Sequence, residues 1–501
     1  MFPAQEADDS PPAERPVWRD SPAVLVIAHN RHEYLNETLH ALRSVRGLAA
    51  VNIYISVDGH DDKVTALADT AVATYFAPPA TKGAARWTHD RAEDAGGRRV
   101  SAHVALAQHY KWALDRVFPE DRQGHSHVII VEDDLLLSPD ALELLAASAP
   151  LLDADVSLWC VSLWNDNGGR HLAASPLLYD LRRTDFFPGL GWMMTAATWH
   201  ASVAHIWPKP AAGDWDWHLR LSHGLGSMEC IHPVVPRSFT IGRWGANMRA
   251  QTYDRHLSGQ AWAAAPVNEV SAFITDTILR TMRNASWVEH VLKPAVERAV
   301  PFDWRTLETL GRGSLASNWR DVQSSKAQRL PAKRLLLTYS SLVEYSWLAS
   351  ALGLWPQPRG HSHGALILDD SQFGGQYVLA DTRSCPWLPS TMQKHPPPGL
   401  ALHAADAPGM SCTDVCSAVR LRCAGDAAFY WANKCDALSA HADCGTGCSL
   451  AHASHAPAYM TQEDGSETCV VTHATSRCGA HHARSRRLCP CLPRHARDSN
   501  A

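Results

Sequence analysis

The chain carries little charge and no long apolar run. Charged residues make up 19% of its 501 positions, and 46 basic against 51 acidic side chains leave a formal net charge of −5. No Lys/Arg-rich stretch supplies the electrostatic footprint that nucleic-acid binding demands, so no nucleic-acid partner is expected. Nowhere does an unbroken apolar segment approach the roughly 18 residues that a membrane span requires. Residues 1–20 also lack the apolar core of a signal sequence. They are polar and proline-rich, which predicts a disordered lead-in or stem remnant. Cysteine is scarce through the first 400 residues, where only Cys160, Cys230 and Cys385 occur.

That scarcity ends abruptly, because the other ten of the 13 cysteines lie between Cys412 and Cys491. Such density predicts a small disulfide-stapled module, since so short a segment buries too little apolar surface to hold itself together. Zinc is the alternative, given Cys412-x-x-x-Cys416, Cys444-x-x-x-Cys448 and several nearby histidines. The even number of cysteines and the lack of regular Cys-x-x-Cys knuckles favour disulfides, and with them an oxidising compartment. With 46% apolar residues, the rest of the chain has material for a large core, which excludes a wholly disordered or fibrous protein. The expected division is a lead-in over 1–20, a large unit over 21–395, a linker over 396–410, the cysteine-rich module over 411–493 and a disordered tail over 494–501.

From Ser21 onward the pattern alternates between strand and helix. Ala23–Ala28 is a continuous apolar run of the kind a central parallel strand shows, and it ends in polar His29-Asn30-Arg31. Tyr34, Leu35, Leu39 and Leu42 then fall on one helical face. A second strand over Val51–Val57 closes on Asp58, and residues 78–100 read as a polar insert. Leu106, Tyr110, Ala113, Leu114 and Val117 mark a long amphipathic helix, and the strand His127–Val131 runs into Glu132-Asp133-Asp134. A β-α-β-α-β order with polar residues at each strand's carboxyl end predicts an α/β fold with a doubly wound sheet, whose ligands bind at that edge.

Three carboxylates directly after a buried apolar strand are costly unless a cation offsets them. Hard oxygen ligands favour magnesium or manganese, which also bind substrate phosphates. The alternative is that these acids cap the next element or face solvent. Residues 157–220 are dense in tryptophan, glycine and carboxylate, including Ser157–Gly168, Arg183–Trp192 and Gly213–Trp217. Aromatic faces stack on apolar sugar faces and carboxylates accept hydroxyl protons, so the composition suits a sugar site. The same tryptophans also suit a core.

The strings VEDDLLLSPD, SLWCVSLWNDNG, YDLRRTDFFPGLGWMM, WPKP and DWDW resemble the metal-binding and acceptor-side segments of the β-1,2-N-acetylglucosaminyltransferase I family, which includes the O-mannose β-1,2-N-acetylglucosaminyltransferases. The resemblance runs from about Pro22 to about Leu388. It extends through TIGRWGANMRAQTYDRHL, similar to the family's mobile substrate loop, to WLASALGLWPQPRGHSHGALIL and YVLAD. It implies a nucleotide-sugar-binding mixed sheet of the GT-A kind. The implied activity is an inverting transfer of N-acetylglucosamine from UDP-GlcNAc to the 2-hydroxyl of a mannose on a glycoprotein, either in an N-glycan core or on O-mannose. A catalytically silent glycan-binding protein is the alternative of another class.

Residue by residue, the resemblance makes Asp134 the ligand of Mn2+. Glu132 and Asp133 would lie at the donor with Arg31 and Asp58, and His109 of AQHYKW would lie at the nucleotide. Asp216 would be the catalytic base. The family pattern Trp-Asp-Asp-Trp reads Asp214-Trp215-Asp216-Trp217 here, which leaves Asp214 as the alternative base. The resemblance also implies a Cys160–Cys230 disulfide, a loop over roughly Ser238–His256 hinged at Gly242 and Gly245, and a type II membrane protein of the Golgi lumen. If the ten tail cysteines pair among themselves, Cys385 is left over. The strings SCTDVCSAVRLRC and RSRRLCPC resemble, more weakly, the cysteine-rich carboxyl-terminal segment of N-acetylglucosaminyltransferase V.

Overall fold

A computed structural model describes the chain except for residues 1–17, 19, 91–99, 122, 174–177, 209–213, 222–224, 226–227, 246–247, 265–277, 304–332, 371–374, 445–446, 462–466, 473 and 495–501. The expected disordered ends therefore fall almost wholly outside the described residues. Trp18 is described, and its ring lies 6.1 Å from that of His127.

Apolar runs bounded by polar residues build the first sheet. Its strands are β1 (Ala23–Ala28), β2 (Asn52–Asp58), β3 (Gly83–His89), β4 (His127–Glu132), β6 (Leu158–Ser162), β7 (Leu181–Thr184), β8 (Trp192–Thr195) and β9 (Glu229–Pro233). They lie in the order β3-β2-β1-β4-β8-β6-β9-β7. The first four are parallel, and β8 enters antiparallel between β4 and β6. The result is a mixed α/β sheet. Helices α1 (His32–Arg43), α2 (Asp62–Thr74), α3 (Ala102–Val117) and α4 (Ala141–Ala154) cover its faces. Leu35, Leu39 and Leu42 of α1 are fully buried, as the helical spacing requires. The expected polar insert over 78–100 is corrected by β3, which pairs with β2 at the sheet edge. All its residues but His89 are only half-buried, so it lacks the apolar run that marks β1.

Two further short strands, β5 (Leu135–Leu137) and β10 (Ser238–Thr240), pair antiparallel and tie the segment after the acidic triplet to the start of the 238–256 loop. Cys160 and Cys230 face each other across β6 and β9 and are joined by a disulfide. A second sheet, in the order β11 (Val300–Pro301), β12 (Arg334–Tyr339), β14 (Gly375–Asp381), β13 (Ala365–Asp370), packs with the helix Leu342–Leu352 around Tyr345, Leu348 and Tyr377.

The tail forms its own sheet from β15 (Ala401–Ala404), β16 (Leu421–Cys423), β17 (Cys448–Ala451), β18 (Ala458–Thr461), β19 (Glu467–Thr472) and β20 (Ser485–Pro493). Because β15 pairs with β20 over Leu402 and Pro490, the expected linker over 396–410 is corrected: residues 401–404 belong to the tail sheet. All ten tail cysteines pair among themselves, as Cys412–Cys489, Cys416–Cys491, Cys423–Cys478, Cys435–Cys448 and Cys444–Cys469. The sulfurs of Cys444, Cys448 and Cys469 cluster as a zinc site would need. Their disulfides leave no thiolate to bind one. Cys385 is buried and unpaired, and burial pushes its thiol up to about 11.

Candidate active site

The order of the parallel strands reverses between β1 and β4, which opens a crevice beyond their carboxyl ends. Ile27 of β1 pairs with Glu132 of β4, so Arg31 and the acidic triplet emerge side by side. Arg31 Nη1 lies 2.8 Å from Asp134 Oδ2, and Nη2 bonds Asp133 Oδ1. Withdrawal from water pushes Glu132 up to about 7, helped by the charge of Asp134. Burial also raises Asp133, to about 6, against the pull of Arg31. The same burial disfavours charge on Arg31, but Asp134 and Asp133 outweigh it and hold the guanidinium above its ordinary range.

Asp134 Oδ1 is buried and accepts no hydrogen bond among the described residues. Gly242 closes over the same carboxylate, because a Cβ at that position would sit 2.0 Å from Asp134 Oδ2. A buried carboxylate oxygen with no partner, in an all-oxygen acidic setting, fits a magnesium- or manganese-like cation. The backbone of the 238–256 loop also meets the triplet directly. Ile241 N donates to Asp134 O at 2.9 Å, and Trp244 O accepts from Arg31 Nη1 at 3.1 Å.

On the β2 side, Asp58 Oδ1 lies 2.8 Å from His89 Nδ1, and Asp58 O lies 2.6 Å from His29 Nδ1. His109 of α3 reaches Ser56 Oγ at 2.7 Å, and its ring stacks on His89 at 5.3 Å. Asp58 and His109 are thus brought together by His89, a residue that sequence reasoning missed. The signal was its place at the carboxyl end of β3, equivalent to that of Asp58 on β2. Tyr110, expected only as a core residue, donates through its hydroxyl to Glu132 Oε1 at 2.5 Å and packs on Trp215 at 4.4 Å.

A further wall is formed by the helix Trp215–Arg220. Asp216 Oδ1 accepts from Trp217 N at 2.8 Å and Oδ2 accepts from Arg220 Nη1 at 2.6 Å, which fixes the carboxylate's orientation. Arg220 in turn lies over Phe186 at 4.7 Å and Trp217 at 4.9 Å. Beyond it, Asp166 Oδ1 accepts from Arg359 Nη1 at 2.6 Å, and Arg359 stacks over Trp355 at 3.9 Å. Neither arginine was singled out from the sequence. The turn Gly189-Leu190-Gly191, all at positive φ, forms part of the same wall.

These walls enclose about 710 Å3, a volume suited to a small-molecule ligand. Arg31, Asp58, His109, Glu132, Asp133, Asp134 and Asp216 all line that one cavity. Asp214 does not. It pairs with His103 outside the cavity, and burial raises its carboxyl. Trp164, Trp192 and Trp215 are buried in the core and also line the cavity.

A mannosyltransferase of Pyrobaculum calidifontis, solved with GDP-Man and Mn2+, aligns with TM-score 0.28 and 15% identity over 46% of this chain and 61% of its own. S. aureus TarS 1-349, solved with UDP-GlcNAc, aligns with TM-score 0.29 and 12% identity over 54% of this chain and 68% of its own. Scores this low leave the reading of the site to its own geometry. In sequence, the chain is 34% identical over 243 residues to an Arabidopsis thaliana alpha-1,3-mannosyl-glycoprotein 2-beta-N-acetylglucosaminyltransferase, covering 47% of this chain and 50% of the relative. It is 23% identical over 149 residues to an Arabidopsis thaliana alpha-1,6-mannosyl-glycoprotein 2-beta-N-acetylglucosaminyltransferase, covering 25% and 35%. The chain therefore spans half the length of the first relative and about a third of the second. The sequence profile of the GNT-I family matches residues 3–302, more than half of the 501, and by that match the chain belongs to the GNT-I family.

Proposed function

We propose that this chain is an inverting, divalent-cation-dependent glycosyltransferase that moves N-acetylglucosamine from UDP-GlcNAc to the 2-hydroxyl of a mannose in a glycoprotein's N-glycan core. The observation that carries this reading is the single cavity that gathers the acidic triplet, Arg31, Asp58, His109 and Asp216. The names of the two plant relatives agree with such a reaction.

Asp58 and His109, ordered by His89 and Ser56, hold the nucleotide end of the donor. Asp134 holds the cation, which when bound is Mn2+ on this reading and neutralises charge on the donor diphosphate. Glu132, kept in place by Tyr110, and Asp133, paired with Arg31, complete the donor side. Asp216 accepts the proton of the mannose hydroxyl as its oxygen bonds to the anomeric carbon. The bond from that carbon to the phosphate oxygen breaks in the same step, and its electron pair leaves with UDP. One displacement inverts the anomeric carbon without a covalent intermediate. Asp216 is favoured over Asp214 because only Asp216 lines the cavity. The 238–256 loop, bonded to Asp134 and Arg31, keeps water from the donor.

On this proposal the chain acts in the Golgi lumen as a type II membrane protein. Its disulfides suit an oxidising compartment. No helix among the described residues is long and apolar enough to cross a membrane. The test incubates the protein with UDP-GlcNAc and either an N-glycan-core or an O-mannose acceptor, with Mn2+ or with chelator. Transfer to the first acceptor in Mn2+ alone is the expected result. Transfer to O-mannose alone moves the assignment to the family's other acceptor, and glycan binding without transfer under any divalent cation replaces the enzyme with a lectin-like protein.

A further inference from the structure

The cysteine-rich tail touches the wall that carries Asp216. The helix Trp215–Arg220 has only six residues, too few to persist without tertiary support. Its inner face is buried through Trp215, His218 and Leu219, and His218 Nε2 lies 2.8 Å from Ile206 O. Its outer end rests on the tail: the helix contacts β17, and Leu221 packs against the tail core of Leu438, Cys444, Cys448, Tyr459, Cys469 and Leu488. Two disulfides brace that surface, Cys435–Cys448 at the first residue of β17 and Cys444–Cys469 just before it. The tail is also latched to the second sheet, where Tyr430 donates through its hydroxyl to Asp381 Oδ2 at 3.0 Å under the Arg383 guanidinium.

We propose that the cysteine-rich tail is a positioning device for Asp216: the stapled β17 surface, through Leu221, holds the helix Trp215–Arg220 at the depth that places its carboxylate in the cavity. The inference rests on the assignment of Asp216 as base, and it gives the tail a role in transfer although no tail residue among the described residues lines the cavity. Leu221 is a positioning residue, acting through the helix. Misplacement of a catalytic group by about 1 Å costs up to roughly a hundred-fold in rate. Loosening this contact is therefore expected to lower turnover while leaving the donor side, built on β1, β2 and β4, as it was.

The full chain carrying Leu221→Ala tests this with two readouts. Amide hydrogen exchange in residues 215–220 is expected to rise by roughly ten-fold or more, with β1 and β4 unchanged. Turnover is expected to fall by roughly ten-fold, with KM and Kd for UDP-GlcNAc unchanged. Leu221→Met restores both, and the pair Cys435→Ser, Cys448→Ser reproduces the loss from the tail side. Unchanged exchange in residues 215–220 of Leu221→Ala, or exchange raised equally throughout the first sheet, overturns the proposal. Should the unaltered protein transfer nothing, the functional reading fails, and the exchange measurement still decides whether the tail positions the helix.

Discussion

Asp216 and Asp134 line one cavity and carry different proposed roles, which their substitutions separate. Asp216→Asn keeps a polar group of the same shape but cannot take the proton. It is expected to lower turnover by roughly a hundred- to ten-thousand-fold while calorimetric binding of UDP-GlcNAc stays unchanged. On the proposed function Asp134→Ala removes the cation ligand, and it is expected to weaken both binding and turnover. If Asp216→Asn remains active, Asp216 is not the base. Gly242→Ala probes the same cation from the loop side, because the new methyl would collide with the Asp134 carboxylate. Its cation affinity, read from the Mn2+ dependence of the rate, is expected to fall on the order of ten-fold, with overall stability retained. The triplet was legible in the sequence because three acids after a Val-Ile-Ile-Val strand are conspicuous. His89, Tyr110, Arg220 and Arg359 were not, because their partners are distant in the chain or lie on elements with no periodic signal. Asp166 and Arg359, for example, are 193 residues apart.

At the scale of elements, β1 and β4 could be read directly because both are central and apolar, whereas half-buried β3 could not. The second sheet was invisible as a sheet for another reason: parallel β12 and β14 are separated by the intervening helix and β13, and pattern alone does not pair strands so far apart. Two buried histidines on these elements bear on stability. His232 of β9 and His361, just before β13, are both pushed down to about 4 by burial. An unfolded histidine titrates near 6.5, so between about pH 6.5 and 4 the unfolded chain binds protons that the folded one does not. Their contribution is fully present above about pH 6.5 and is lost as pH falls toward 4. Asp185, pushed up to about 7 by burial, acts in the opposite sense over an overlapping range. The histidine part is isolated by variants: His232→Gln with His361→Gln is expected to reduce the fall in Tm between pH 7 and pH 4.5. An unchanged slope would show that these histidines do not titrate with unfolding.

Over the whole molecule, the boundary near residue 400 separates two ways of making a core. Upstream, one disulfide accompanies a large apolar interior. Downstream, five disulfides hold a small sheet together. Thiol titration of the unreduced, denatured protein is expected to find one reactive thiol per chain, Cys385. Three or more would contradict this pairing. The cysteine count exposed the tail as a separate build, but its docking against the Asp216 helix depends on Leu221 and β17, which no local pattern connects. On the proposed function this one cavity performs an inverting, cation-dependent sugar transfer. NMR of the product formed from UDP-GlcNAc, whose sugar is α-linked, and a mannose-terminated glycan tests it most directly. The expected product is a β-linked N-acetylglucosamine that forms with Mn2+ and fails to form with chelator. An α-linked product, or none with any divalent cation, would contradict it.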